Sequence, residues 1–110
     1  MARRPGAVRW TDPGLLILGS LAAGPLHGYA IVEDVAHTSG VRLGPGTLYG
    51  ALARLEENGL VRALPGEDRR RPYEITSSGA EVLAKQLVSM TRFARTGRAR
   101  LQSRADGGAA

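Results

Sequence analysis

The chain has 110 residues, enough for one domain with little room for a second. It has no cysteine, which excludes a disulfide scaffold, a thiolate zinc site and a cysteine nucleophile, and its 43% hydrophobic and 23% charged content is that of an ordinary globular protein. Fifteen basic residues against ten acidic ones give a net charge of +5, which points to a polyanionic partner.

Residues 1–10 carry Pro, Gly and Arg without periodicity and read as a flexible basic arm. Thr11-Asp12-Pro13 is a helix start: Thr11 or Asp12 can cap, and proline suits the first turn. The helix predicted over Pro13–Ala23 is almost wholly apolar, so it is expected to be buried on most sides, and Gly24-Pro25 stops it. Arg3, Arg4 and Arg9 ahead of the apolar run 15–23 superficially resemble a secretion leader. Asp12-Pro13 interrupts that pattern, and no run approaches the ~18 apolar residues of a membrane span.

A second helix is predicted from near His27 to about Ser39, with Ile31, Val32 and Val35 inward and Glu33, Asp34 and His37 on a wet side. His27 can accept from a free backbone N–H at the helix start, and Tyr29 is expected to pack under the first helix. Gly40 suits the position after the last turn. Gly44-Pro45-Gly46 opens a third helix in which Leu48, Leu52 and Leu55 recur on one face, and Asn58-Gly59 ends it.

The period then changes. Residues 60–64 read as a strand, Pro65-Gly66-Glu67-Asp68 as a turn, and residues 71–75 as the returning strand, with Tyr73 and Ile75 on one face and Pro72 suited to an edge. Thr76 or Ser77 caps a fourth helix. Leu83, Leu87, Met90 and Ala94 step along it at heptad spacing, while Val82, Val88 and Phe93 lie off the stripe. That is more apolar surface than one small domain covers, so a partner helix is expected. Gly97 should weaken this helix. The expected divisions are a basic arm at 1–10, a unit of three helices and a hairpin at 11–79, a dimerisation helix and basic end at 80–104, and a disordered tail at 105–110.

The charge follows these divisions. Residues 1–10 carry +3, 11–61 carry −3, 62–71 carry +2, 72–90 carry −1 and 91–110 carry +4. Arm, hairpin and tail are basic around a mildly acidic middle.

Three helices followed by a two-stranded hairpin is the order of a winged helix-turn-helix, a mainly α fold with a small β-hairpin. Its third helix enters the major groove and its hairpin reaches the neighbouring backbone. Here the third helix places Gly46, Gly50, Ala53 and Glu57 opposite its leucines, flanked by Thr47, Tyr49 and Arg54. Small residues let a helix backbone approach DNA closely, and Thr47, Tyr49 and Arg54 can reach phosphates or bases. Pro45 leaves first-turn N–H groups that favour a phosphate. Arg69, Arg70 and Arg71 on the hairpin suit phosphates or a minor groove.

Three segments resemble the PadR family of bacterial transcriptional regulators. They are Gly24-Pro25-Leu26-His27-Gly28-Tyr29-Ala30-Ile31, the stretch from Pro45-Gly46-Thr47-Leu48-Tyr49 to Asn58-Gly59-Leu60-Val61, and Arg71-Pro72-Tyr73-Glu74-Ile75-Thr76-Ser77-Ser78-Gly79. The resemblance spans roughly residues 14–79. It implies a cytoplasmic homodimer that binds a double-stranded DNA operator, usually as a repressor, and that pairs through the C-terminal helix, here by Leu83, Leu87, Met90 and Ala94. It also implies, in some relatives, a small hydrophobic or aromatic effector near the dimer centre, for which Trp10 and Phe93 are the candidates.

No enzyme chemistry is visible. Glu33 and His37 have a metal-compatible spacing but no further ligands, so neither a metal nor a cofactor is expected. Gly44-Pro45-Gly46 lacks the lysine and hydroxyl of a nucleotide-binding loop. The alternative is a protein-interaction module that kept the winged-helix shape without DNA binding, which the acidic middle and the bare Gly50 and Ala53 face favour.

Overall fold

The structure, a computed structural model, describes residues 11–67 and 70–107. The elements are α1 (Pro13–Leu21), β1 (Leu26–His27), α2 (Gly28–Ser39), α3 (Pro45–Glu57), β2 (Val61–Ala63), β3 (Pro72–Ile75) and α4 (Ser77–Gly107). The arm at 1–10, with Arg3, Arg4, Arg9 and Trp10, lies outside the described residues, as do Asp68, Arg69 and residues 108–110.

The first two helices start at side-chain caps. The Leu15 N–H donates to Asp12 Oδ2 at 3.1 Å, so Asp12 rather than Thr11 opens α1. The Ala30 N–H donates to His27 Nδ1 at 3.4 Å, as expected for α2. Gly44 precedes α3 with no side-chain bond, and Pro45 occupies its first turn. Gly40 closes α2 in the left-handed region, with φ at 79°.

The core forms where the three helices meet. Ile17 and Leu21 of α1, Ile31 and Val35 of α2 and Leu52 of α3 are its largest fully buried side chains. Each contributes about 1.5–3 kcal/mol by leaving water. Ser20 is the one buried polar residue described, and its Oγ donates to Asp34 Oδ2 at 2.7 Å. Asp34 therefore bonds α2 to α1, instead of lying on the wet side that the sequence suggests. Tyr29 departs from expectation in the other direction: it is 70% exposed and does not pack under α1. Ile31 and Val35 are the α2 side chains fully buried in the core, and Val32 packs against it partly buried.

The wing has three strands, not two, in the order β1-β3-β2. Leu26 pairs with Tyr73 and His27 with Pro72, while Val61, Arg62 and Ala63 pair with Ile75, Glu74 and Tyr73. Pro72 is thus in the central strand, not at an edge. It is tolerated because it is the first residue of β3, where a missing donor matters least. Its carbonyl accepts the Leu64 N–H at 2.8 Å. Arg62 and Glu74 form a cross-strand ion pair, with Arg62 Nε donating to Glu74 Oε2 at 2.9 Å.

Thr76 fastens α4 to the body. Its Oγ1 accepts the Gly79 N–H at 3.0 Å and donates to the Gly59 carbonyl at 2.6 Å, and its N–H donates to the Leu60 carbonyl. Gly79 lies so close to the Leu60 carbonyl and Ile75 that a Cβ would collide with both. Beyond that joint α4 runs 31 residues, continuous through Gly97, and ends at Gly107, three residues into the segment assigned to the tail. At ~1.5 Å per residue it is about 46 Å long and accounts for most of the 64 Å long axis.

Candidate nucleic-acid interface

α3 presents two faces. Leu48, Ala51, Leu52 and Leu55 are buried, while Pro45, Gly46, Thr47, Tyr49, Gly50, Ala53 and Arg54 are exposed. The expected reading residues therefore share the outer side of one helix. A Cβ built at Gly46 or Gly50 would meet nothing within 4 Å. The fold itself has no steric use for either glycine, although each costs a helix up to about 1 kcal/mol relative to alanine.

Tyr49 is 44% exposed, and its hydroxyl lies against Gly28 in the first turn of α2. Gly28 is buried, and any side chain there would displace the Tyr49 ring and press on Leu48. Tyr49 therefore leans across from α3 to α2 instead of standing free. Between the two helix starts lies an open groove of about 630 Å³, lined by Gly28, Tyr29, Val32, Leu43, Leu48 and Tyr49, with Pro45 at its side.

The wing closes on this region through β1. Tyr73, opposite Leu26, has its phenol pushed above the ordinary value chiefly by burial, with the charges of Glu56 and Tyr49 adding to the shift and Arg71 opposing it. β3 thus passes close to α3 at Tyr73. Arg70 and Arg71 are exposed, and neither is in a salt bridge among the described residues. Arg69 is outside those residues. Neither β1 nor the groove is legible in the sequence. Two extended residues carry no periodicity, and the only local signal was an extended pair following Pro25.

Along α4, only Gly79 and Leu83 are buried. Leu83 turns into the core of its own domain. Leu87 is exposed, Met90 half-buried and Ala94 exposed, while Val88 and Phe93 are open to solvent. Phe93, the effector candidate, is 80% exposed. Arg92, Arg95, Arg98, Arg100 and Arg104 are all exposed on the outer half, and the carboxylate of Asp106 accepts from Gln102. No group of three or more metal-ligating side chains, and no helix long and apolar enough to cross a membrane, occurs among the described residues.

The family model of the PadR-like transcriptional regulators matches residues 17–85. The chain is 34% identical over 85 residues to a transcriptional regulator of Mycobacterium tuberculosis, covering 74% of this chain and 78% of that protein. It is 51% identical over 86 residues to an uncharacterized 37.1 kDa protein in a transposon of Streptomyces fradiae, covering 78% of this chain. The matched part spans only 25% of that relative's length. A PadR family transcription regulator from Clostridium difficile superposes with a TM-score of 0.72 at 26% identity, over 81% of this chain and 97% of that one. A PadR-like regulator from Bacillus cereus shares the fold, with a TM-score of 0.73 at 21% identity over 86% and 95% of the two chains. Members of this family are transcriptional regulators and not enzymes. With a three-helix core, a wing hydrogen-bonded to the start of α2 and a family match over most of that unit, the chain belongs to the PadR-like family of transcriptional regulators.

Proposed function

We propose that the chain is a sequence-specific DNA-binding regulator that acts in the cytoplasm as a homodimeric repressor. Each α3 would enter a major groove through Gly46, Thr47, Tyr49, Gly50 and Arg54, about one helical turn of DNA from its mate. Pro45 would set the first-turn N–H groups towards a phosphate, and Arg69, Arg70 and Arg71 would hold the flanking backbone. The observation that carries this reading is the pair of glycines on the exposed face of α3. No described residue packs where their side chains would be, so the backbone of this face stays open to a close approach from outside.

Pairing would use the exposed part of α4, through Leu87, Met90 and Ala94, with Leu83 anchoring that helix to its own domain. The unit at 11–79 would then be the DNA-binding domain, and the helix beyond it the dimerisation element. A small hydrophobic effector would bind between paired α4 helices near Phe93 and lower DNA affinity.

The test combines a gel shift with a melt. The wild-type protein should prefer its own upstream DNA over a random duplex. Gly50→Ala should raise stability by up to about 1 kcal/mol, because alanine suits a helix and has room there, and should weaken that preference. A variant that is more stable and binds as well as the wild type would remove α3 as the reading helix.

A further inference from the structure

A second recess opens where α1 begins, between α1, the end of α3 and the start of α4, with a volume of about 370 Å³. Of the side chains that line it, Leu18 and Leu55 are buried, Leu15 and Leu60 are half-buried, and Val82 is 39% exposed. Gly14 also lines it. A Cβ there would stand 3.6 Å from Leu55 Cδ2, so a longer side chain would begin to fill the space. Apolar groups from three helices are thus left around an open hollow on a small body.

The chain itself leads into this hollow. Asp12 is part of the lining, and Trp10 stands two residues before it. Two residues of extended chain span about 7 Å, so an indole at position 10 is within reach of the recess whatever path the arm takes. A group on so short a tether is present at an effective concentration on the order of millimolar. It also avoids the loss of freedom that a separate molecule must bear on binding. An indole buries on the order of 150–250 Å² of surface and needs an acceptor for its N–H. Asp12 uses Oδ2 for the Leu15 N–H, which leaves Oδ1 as an acceptor at the recess.

Charge favours the same occupant. The arm carries +3 and residues 11–61 carry −3. Three exposed carboxylates stand in the lining or next to it in sequence, Asp12, Glu56 beside Leu55 and Glu81 beside Val82, against one cation, Lys85 beside Gln86. Arg9 adjoins Trp10, so a seated ring brings a guanidinium to that acidic rim. The outer half of α4 from a second copy is also basic and apolar, but it has to associate before it can reach the recess.

We propose that this recess is the seat of the chain's own arm: the Trp10 indole packs against Leu15, Leu55 and Val82, with Arg9 over the neighbouring carboxylates. Trp10 then serves its own body and not an effector site, and the assignment is independent of the DNA-binding reading.

Trp10 is the only tryptophan, so fluorescence of the full chain reports this one ring. Wild-type protein should emit at shorter wavelength than N-acetyltryptophanamide and be quenched by acrylamide several-fold more slowly. Both properties should persist on dilution and in Leu87→Glu, and nuclear Overhauser contacts should join the indole to methyl groups of Leu15, Leu55 or Val82. Val82→Glu, at an exposed position, should shift emission to longer wavelength and speed quenching with little change in melting temperature. Emission and quenching equal to those of the free amide overturn the proposal. A ring that stays shielded in Val82→Glu and shows no contact with those methyl groups also overturns it, since Trp10 then lies elsewhere. Shielding that is lost on dilution or in Leu87→Glu overturns it in favour of a site shared with a second copy. If Val82→Glu unfolds the protein, the wild-type contacts and quenching decide alone.

Discussion

The three-helix body and the outer part of α4 are both apolar and both helical, yet they treat apolar residues in opposite ways. In the body, Ile17, Leu21, Ile31, Val35 and Leu52 are fully buried, and the polar pair Ser20 and Asp34 satisfies itself inside. In α4 beyond Leu83, Leu87, Val88, Phe93 and Leu101 face water. An isolated helix draws little stability from its own hydrogen bonds; most comes from packing one face. The body supplies that face within one chain. Among the described residues the outer part of α4 has no such face to pack on, which is the physical ground for proposing a second copy there.

The sharpest way to break this contrast is Leu52→Ala. A buried leucine truncated between α1 and α3 should cost about 2–5 kcal/mol in a denaturant melt. A loss near zero would mean that the body is not the stable unit. Next comes the joint between the two regions. Gly79→Ala puts a methyl group into the Leu60 carbonyl and should cost about 1–3 kcal/mol by forcing α4 off the sheet. A backbone contact of this kind cannot yield by a rotamer change.

A smaller effect on the folded body is expected from Leu87→Glu. Leu87 is exposed in the single chain, so a dilute sample should change by no more than about 0.5 kcal/mol. If α4 pairs as proposed, the wild type should melt higher at higher concentration and the variant should not. Sedimentation and concentration-dependent melts together check this. The smallest effect is alkaline. Tyr73 holds its proton more tightly when folded than when unfolded, chiefly because it is partly buried. Its contribution is therefore fully present below its ordinary value of 10.0 and is lost as pH rises above that, so stability should decline there. Tyr73→Phe should flatten the decline.

The legible parts of the fold were those in which one residue type does one local job. Asp12, His27 and Gly40 mark helix ends because capping is local chemistry, and the leucines of α3 mark its inner face because the helical period is regular. β1 was not legible, since two residues hold no pattern and their partner strand comes more than an element later. Asp34 reads as solvated in any helical wheel until α1 places Ser20 beside it. Pro72 misled because a proline argues against a central strand, except at the strand's first residue. Of the candidate interface, the exposed face of α3 was readable as the complement of its leucines. The groove was not, because it depends on how the starts of two helices lean together, and the ring of Tyr29 suggests packing under α1 where the structure leaves it exposed.

The short pairing of β1 with β3 also bears on the order in which the protein can mature. α2 and α3 are built from near neighbours and can form as soon as their residues are available. Leu26 meets Tyr73 only after every helix of the body and both arms of the wing have been made. Contacts between distant parts of a chain close late, since the loop they restrict is costly to order. A chain caught before that closure would carry a formed α3 with the start of α2 not yet joined to the wing.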